Sequence, residues 1–259
     1  MSLDVTIDII QKYWPMLLRG AGITLFISII GTIVGALIGL AIGVIRTIPL
    51  PESGPKSTLL IIVDKILTAY IEFFRGTPMM VQSMFIFYGV AGVFGVQLNR
   101  LFAGVFIVSI NTGAYMAEIV RGGILSIDPG QYEAAQAIGM NHYQTMMNVM
   151  LPQVIKNILP ATGNEFVINI KDTSVLNVIS VTELFFNTKS IASATFRFAE
   201  VYFVTCIIYF IMTYTVTKIL RTIEKRLEGP KNYNIIGNQM QVERPEDIVR
   251  KKGDHWHDE

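Results

Sequence analysis

Between Arg19 and Arg46 the chain runs for 26 residues without a charged side chain. As a helix that stretch measures ~39 Å at ~1.5 Å per residue, more than the ~30 Å of a bilayer's hydrocarbon core. In lipid it needs only internal backbone hydrogen bonds, which a helix supplies. Gly31, Gly35, Gly39 and Gly43 fall four residues apart and so share one face. That spacing predicts a smooth ridge on which a second helix can lie closely. The run is far longer than a signal-peptide core, and no Ala-x-Ala cleavage site follows it. A retained membrane span over 20–45 is expected, and with it an all-α membrane protein.

Four more stretches read as spans, at about 74–95, 99–120, 154–180 and 199–220, giving five within a membrane region of 20–225. An apolar content of 51% against 16% charged fits that count and argues against both a soluble domain and disorder. Residues 1–19 carry Asp4, Asp8 and Lys12 beside Tyr13 and Trp14, the mixture expected of an outer interfacial segment. Residues 46–58, with Pro49, Pro51, Gly54 and Pro55, are expected to be a loop, and 59–74 an amphipathic lead-in helix. The second span opens at Arg75-Gly-Thr-Pro78, where Pro78 breaks the hydrogen-bond ladder and Gly76 permits a bend. A short helix is expected near 141–150, and the outer connection 181–198 should hold a polar helix of its own. Residues 226–259 are charged and polar, contain Gly229-Pro230, and read as a cytoplasmic tail in which His255 and His257 are solvated. Cys206, the single cysteine, allows neither an intrachain disulfide nor a cysteine metal site.

Charge asymmetry sets the orientation. Fifteen of the 21 Lys and Arg residues fall in 46–75, 121–156 and from 218 onward; five lie on the opposite side, and Lys171 lies within a span. The positive-inside rule then puts the N-terminus outside and the C-terminus in the cytoplasm. It also turns residues 121–156 toward the cytoplasm, where ATP is found.

That cytoplasmic stretch contains Glu133-Ala-Ala-Gln-Ala-Ile-Gly139, followed by Leu151-Pro152. Asp128 suits an N-cap, Pro129 the first helical position and Gly139 a helix stop, so a helix of about two and a half turns is expected. Glu-Ala-Ala with Gly and Leu-Pro in register resembles the EAA loop of ABC importer permeases. Arg75-Gly-Thr-Pro78, and Gly163-Asn-Glu-Phe with Lys171-Asp-Thr-Ser, are similar to the polar amino-acid branch of that family. The likeness covers 20–225 and is silent for the tail. It implies the five-helix type I importer permease fold (MetI-like), with Glu133, Ala134, Ala135 and Gly139 forming a coupling helix that docks on an ATPase. It further implies two ABC ATPase subunits holding ATP and Mg, a second permease, identical or homologous, and an extracytoplasmic substrate-binding protein. It places the chain in a bacterial inner membrane.

The residues themselves hold no Walker A pattern, no HExxH and no nucleophile elbow; Gly54-Pro-Lys-Ser57 lacks the phosphate loop's spacing and its strand. No catalytic residue, metal, bound cofactor or nucleic-acid partner is expected of this chain. Intramembrane charge marks a pathway. Glu165, Asn169 and Asp172 stand i, i+4, i+7 on one face of the fourth span, with Asn164 and Lys171 on the adjoining face. Carboxylates for an ammonium group and a lysine for a carboxylate are what a zwitterionic amino acid requires; the blander reading is an internal ion-pair network that fixes packing. Glu72/Arg75 and Glu118/Arg121 form i, i+3 pairs at the cytoplasmic ends of spans two and three, a candidate gate or merely solvated charges. The alternatives are an ion-coupled secondary amino-acid transporter, for which an inverted repeat is wanting, and a scaffold that only recruits an ATPase.

Overall fold

A computed structural model describes residues 3–48 and 55–227, and among them every regular element is helical. The α-helices are α1 (Leu3–Ile45), α2 (Pro55–Gly76), α3 (Met79–Phe94), α4 (Arg100–Leu125), α5 (Pro129–Ala137), α6 (His142–Thr145), α7 (Leu151–Asp172), α8 (Leu184–Thr195) and α9 (Phe198–Leu227). A π-turn at Met146–Met150 leads into α7, and a 3-10 stretch at Thr173–Ile179 follows it. Three of the described helices, α1, α4 and α9, are long and apolar enough to cross a membrane, and α3 is a shorter apolar helix.

The glycine ridge of α1 lies on α4. A Cβ at Gly31, Gly35, Gly39 or Gly43 would run into Val108, Thr112, Met116 and Val120 respectively. Both series step by four in the same direction, so α1 and α4 run parallel. Small residues let the two backbones approach, and packing contacts replace the hydrophobic drive that lipid does not provide. Helix α7 runs antiparallel to α4: Gly123 faces Val154 and Ile158, whereas Thr112, nearer the start of α4, meets Asn169.

Several boundaries differ from the sequence expectation for local reasons. Residues 4–19 are continuous with the first helix, Pro15 included, rather than a separate segment. Helix α2 starts at Pro55, inside the expected loop, because a first-turn proline lacks only an N–H that the helix does not use. The lead-in helix runs on to Gly76 as α2, and the second span, expected from 74, starts only at Met79 as α3, the two separated at Thr77 and Pro78. Gln82 satisfies the carbonyls freed there: its Nε2 donates to Phe74 O at 3.0 Å and Thr77 O at 2.9 Å, and its Oε1 accepts from Asn111 Nδ2 at 2.9 Å. The expected span 154–180 begins at Leu151 and loses α-helical form after Asp172. The tail beyond Leu227, with His255 and His257, lies outside the described residues.

Candidate functional site

Helix α5 forms as its sequence dictates. Asp128 Oδ1 accepts from Gly130 N at 2.8 Å, and Pro129 follows at the first position. At the other end Gly139 adopts φ +87°, with Gly139 N donating to Gln136 O and Met140 N to Ala135 O. This paired pattern is a Schellman stop, which glycine reaches without the cost a Cβ would impose. One face of α5 is held against its own chain. Tyr132 packs against the buried cluster that includes Ile127, Met146 and Met150, and its hydroxyl lies 2.9 Å from His142 Nδ1. Ala135 is 4% exposed on that same inner face. Ala135 therefore cannot offer the open surface expected of both alanines; helical geometry turns it inward while Glu133, Ala134 and Gly139 remain exposed. Ile138, 75% exposed beside the Gly139 stop, joins that outer face. Its apolarity read as part of a helical string, so sequence reasoning passed over it.

The polar stripe of α7 divides. Asn169 is buried between α1 and α4: its Nδ2 donates to Thr32 Oγ1 at 2.8 Å, and its Oδ1 accepts from the Thr112 hydroxyl at 3.2 Å. Its amide is thus committed to holding three helices together and is not available to a solute. Glu165 is half-buried, whereas Asn164, Lys171 and Asp172 are exposed. None of Glu165, Lys171 and Asp172 forms an ion pair among the described residues. Lys171 lines a groove of about 340 Å³ between α7 and α9 with Phe210, Tyr214, Lys218 and Arg221. The α9 cations were invisible to a reading of the fourth span alone.

The expected acid–base pairs also rearrange. Glu118 is a hub, with Arg121 Nη2 at 3.0 Å, Arg46 Nη1 at 3.6 Å and Arg75 Nη1 at 3.8 Å. Arg46, from the end of α1, further binds Asp64 at 2.9 Å and Thr68 at 3.2 Å. Glu72 is exposed and forms no ion pair among the described residues, because Arg75 leans instead toward α4, its guanidinium 5.7 Å from the Tyr115 ring centre. Arg46 escaped a search confined to pairs three apart on one helix.

A further carboxylate was not anticipated. Glu183, in the connection before α8, is fully buried and accepts from Phe185 N at 2.8 Å, Phe186 N at 2.6 Å and the Tyr209 hydroxyl at 3.2 Å. Burial pushes its carboxyl up to about 7, and the donors oppose that rise only in part.

The chain is similar to known proteins over most of its length. The profile of the "binding-protein-dependent transport system inner membrane component" family matches residues 58–228. The glutamine transport system permease protein GlnP of Escherichia coli (strain K12) is 38% identical over 215 residues, spanning 83% of this chain and 94% of that protein. The arginine transport system permease protein ArtQ of Bacillus subtilis (strain 168) is 32% identical over 229 residues, 88% of this chain and 99% of that one. A crystal structure of an amino acid ABC transporter with histidines superposes with TM-score 0.74 at 38% identity, covering 87% of this chain and 100% of its own. The inward-facing MetNI methionine ABC transporter shares the fold, with TM-score 0.68 at 18% identity and coverages of 88% and 99%.

Proposed function

The chain belongs to the family of binding-protein-dependent transport system inner membrane components, helical permeases of ABC importers for amino acids, and on that premise we propose how it works. Paired with a second permease, it forms the pathway for an amino acid handed over by an extracytoplasmic binding protein. Two ATPase subunits beneath it hold ATP and Mg and supply the energy. The outer face of α5, made by Glu133, Ala134 and Ile138 up to Gly139, docks on an ATPase, and Ala135 and Tyr132 fix the helix to the permease. The N-terminus is outside and the C-terminus cytoplasmic.

The observation that carries the substrate assignment is that none of Glu165, Lys171 and Asp172 forms a salt bridge among the described residues. A packing network would pair them, because an uncompensated charge within a span costs at least ~2.5 kcal/mol. Glu165 lies eleven residues beyond Val154, ~16 Å along the helix and near mid-membrane. In this reading Glu165, with Asn164 and Asp172, receives the ammonium group, and Lys171 the carboxylate. Asn169 stands behind them as the residue that positions α7. The hub of Glu118 with Arg46, Arg75 and Arg121 serves as a cytoplasmic gate, with Glu72 at its margin.

The test compares uptake and ATP turnover in proteoliposomes holding the full complex. Glu165→Gln keeps shape and removes charge, so assembly and ATP turnover should persist while uptake falls at least ~10-fold, as loss of one charged hydrogen bond implies. Normal uptake by that variant would reduce Glu165 to a packing residue.

A further inference from the structure

A cavity of about 770 Å³ opens between α1, α3, the start of α4 and residues 180–182. It takes no part in the transport reading. Helix α4 is 26 residues long, so this cavity and α5, which follow from its opposite ends, are separated by ~39 Å. Arg19 and Arg100 both line the cavity. Both are exposed, and neither forms an ion pair among the described residues. No carboxylate is among the lining side chains. Asn99 adds a donor: its Oδ1 is committed to Phe102 N at 3.1 Å, which leaves its amide N–H groups directed elsewhere. The remaining wall is apolar, with Ile23, Phe87 and Leu98. Close to the lining residues in the chain, Phe94 is 72% and Phe102 64% exposed.

A pair of unneutralised guanidiniums beside an apolar wall, at the end of a membrane-spanning bundle, matches one occupant in both its parts. We infer that this cavity holds an anionic phospholipid, its phosphate taken by Arg19 and Arg100 and the first acyl segments laid along Ile23, Phe87 and Leu98. Guanidinium binds phosphate through parallel, charge-assisted hydrogen bonds. A free phosphate would satisfy the arginines and leave the apolar wall unused. Acid side chains of a docking protein would likewise leave the wall bare. The inference requires only that the bundle is in a membrane, so it stands or falls independently of the substrate assignment and of which end faces the cytoplasm.

The experiment is native mass spectrometry of the full-length chain released from nanodiscs of equal parts phosphatidylglycerol and phosphatidylcholine. The wild-type chain should retain phosphatidylglycerol in preference, and R19Q/R100Q should lose that preference by at least ~10-fold, as expected for two charged hydrogen-bonding partners. R19K/R100K, which keeps the charge, should retain part of it, and matched melting temperatures would show that all three fold. Equal retention of both lipids by the wild-type chain would overturn the inference, as would an unchanged preference in R19Q/R100Q. Complete displacement of the lipid by millimolar inorganic phosphate would also overturn it and identify a free-anion site. Persistence of the lipid in that phosphate would support the acyl contacts.

Discussion

Glu183 is fully buried and Glu165 half-buried, and their surroundings differ accordingly. Glu183 is enclosed by its own donors, two backbone N–H groups of α8 and the Tyr209 hydroxyl, and so serves the fold. Its carboxyl is raised from 4.5 to about 7, which means the folded state holds a proton that the unfolded state releases earlier. The stability linked to it is therefore fully present below about 4.5 and is lost as pH rises through about 7. Thermal unfolding of the purified chain should show a Tm that falls between pH 5.5 and pH 8.5, through a loss on the order of 1–3 kcal/mol. Glu183→Gln should flatten that slope; an unchanged slope would assign it to other groups. Asn169 illustrates the opposite outcome of similar chemistry, since its amide is consumed by Thr32 and Thr112. Asn169→Leu should destabilise the bundle by about 1–2 kcal/mol, measured by thermal unfolding, as interhelical hydrogen bonds in membranes do.

At the scale of the element, α5 shows how a nine-residue helix acquires two faces. Alone it is too short to be stable. Its Asp128 cap, its Schellman stop and the Tyr132 and Ala135 contacts hold it in place. Neighbouring alanines therefore respond differently to the same substitution. Ala134→Trp should abolish co-purification of the ATPase subunits and leave the chain's own Tm within a degree or two. Ala135→Trp should lower that Tm, because overpacking an inner site costs typically ~1–3 kcal/mol. If Ala134→Trp leaves assembly intact, the outer face of α5 is not the docking face. Asp128, Pro129 and Gly139 were enough to place this helix. Which alanine faces outward depended on where α6 and the π-turn at Met146–Met150 lie against it.

For the molecule as a whole, the parallel α1 and α4 and the antiparallel α7 put Arg46, Glu118 and α5 at one end of the bundle. With charge asymmetry, the orientation proposed above turns that end toward the cytoplasm. In a Cys206→Ser background, a membrane-impermeant thiol reagent should label Glu133→Cys in inside-out vesicles and not in intact cells. Labelling in intact cells would invert the topology. A chain truncated after Gly229 should insert normally and carry the same amino acid; a changed selectivity would give the tail a part in the pathway.

Some of this was settled by local rules. The uncharged 26 residues after Arg19, the four-residue glycine spacing and the cap and stop of α5 each follow from bonds or contacts within a few turns, so one stretch of sequence contains their cause. The break at Pro78 was equally legible, though not Gln82 and Asn111, which seal it from α3 and α4. Residues whose partners lie far along the chain were decided only by the packed bundle. Arg46 meets Glu118 from 72 positions away, and Asn169 meets Thr32 across 137. Glu183 is buried by Tyr209 of a helix that has not yet begun. Periodicity assigns a side chain to a face of its own helix. What stands opposite that face is a property of the other helices, and this is why the tertiary structure alone turned Asn169 and Ala135 inward and left Glu165, Lys171 and Asp172 outside the salt bridges of the described residues.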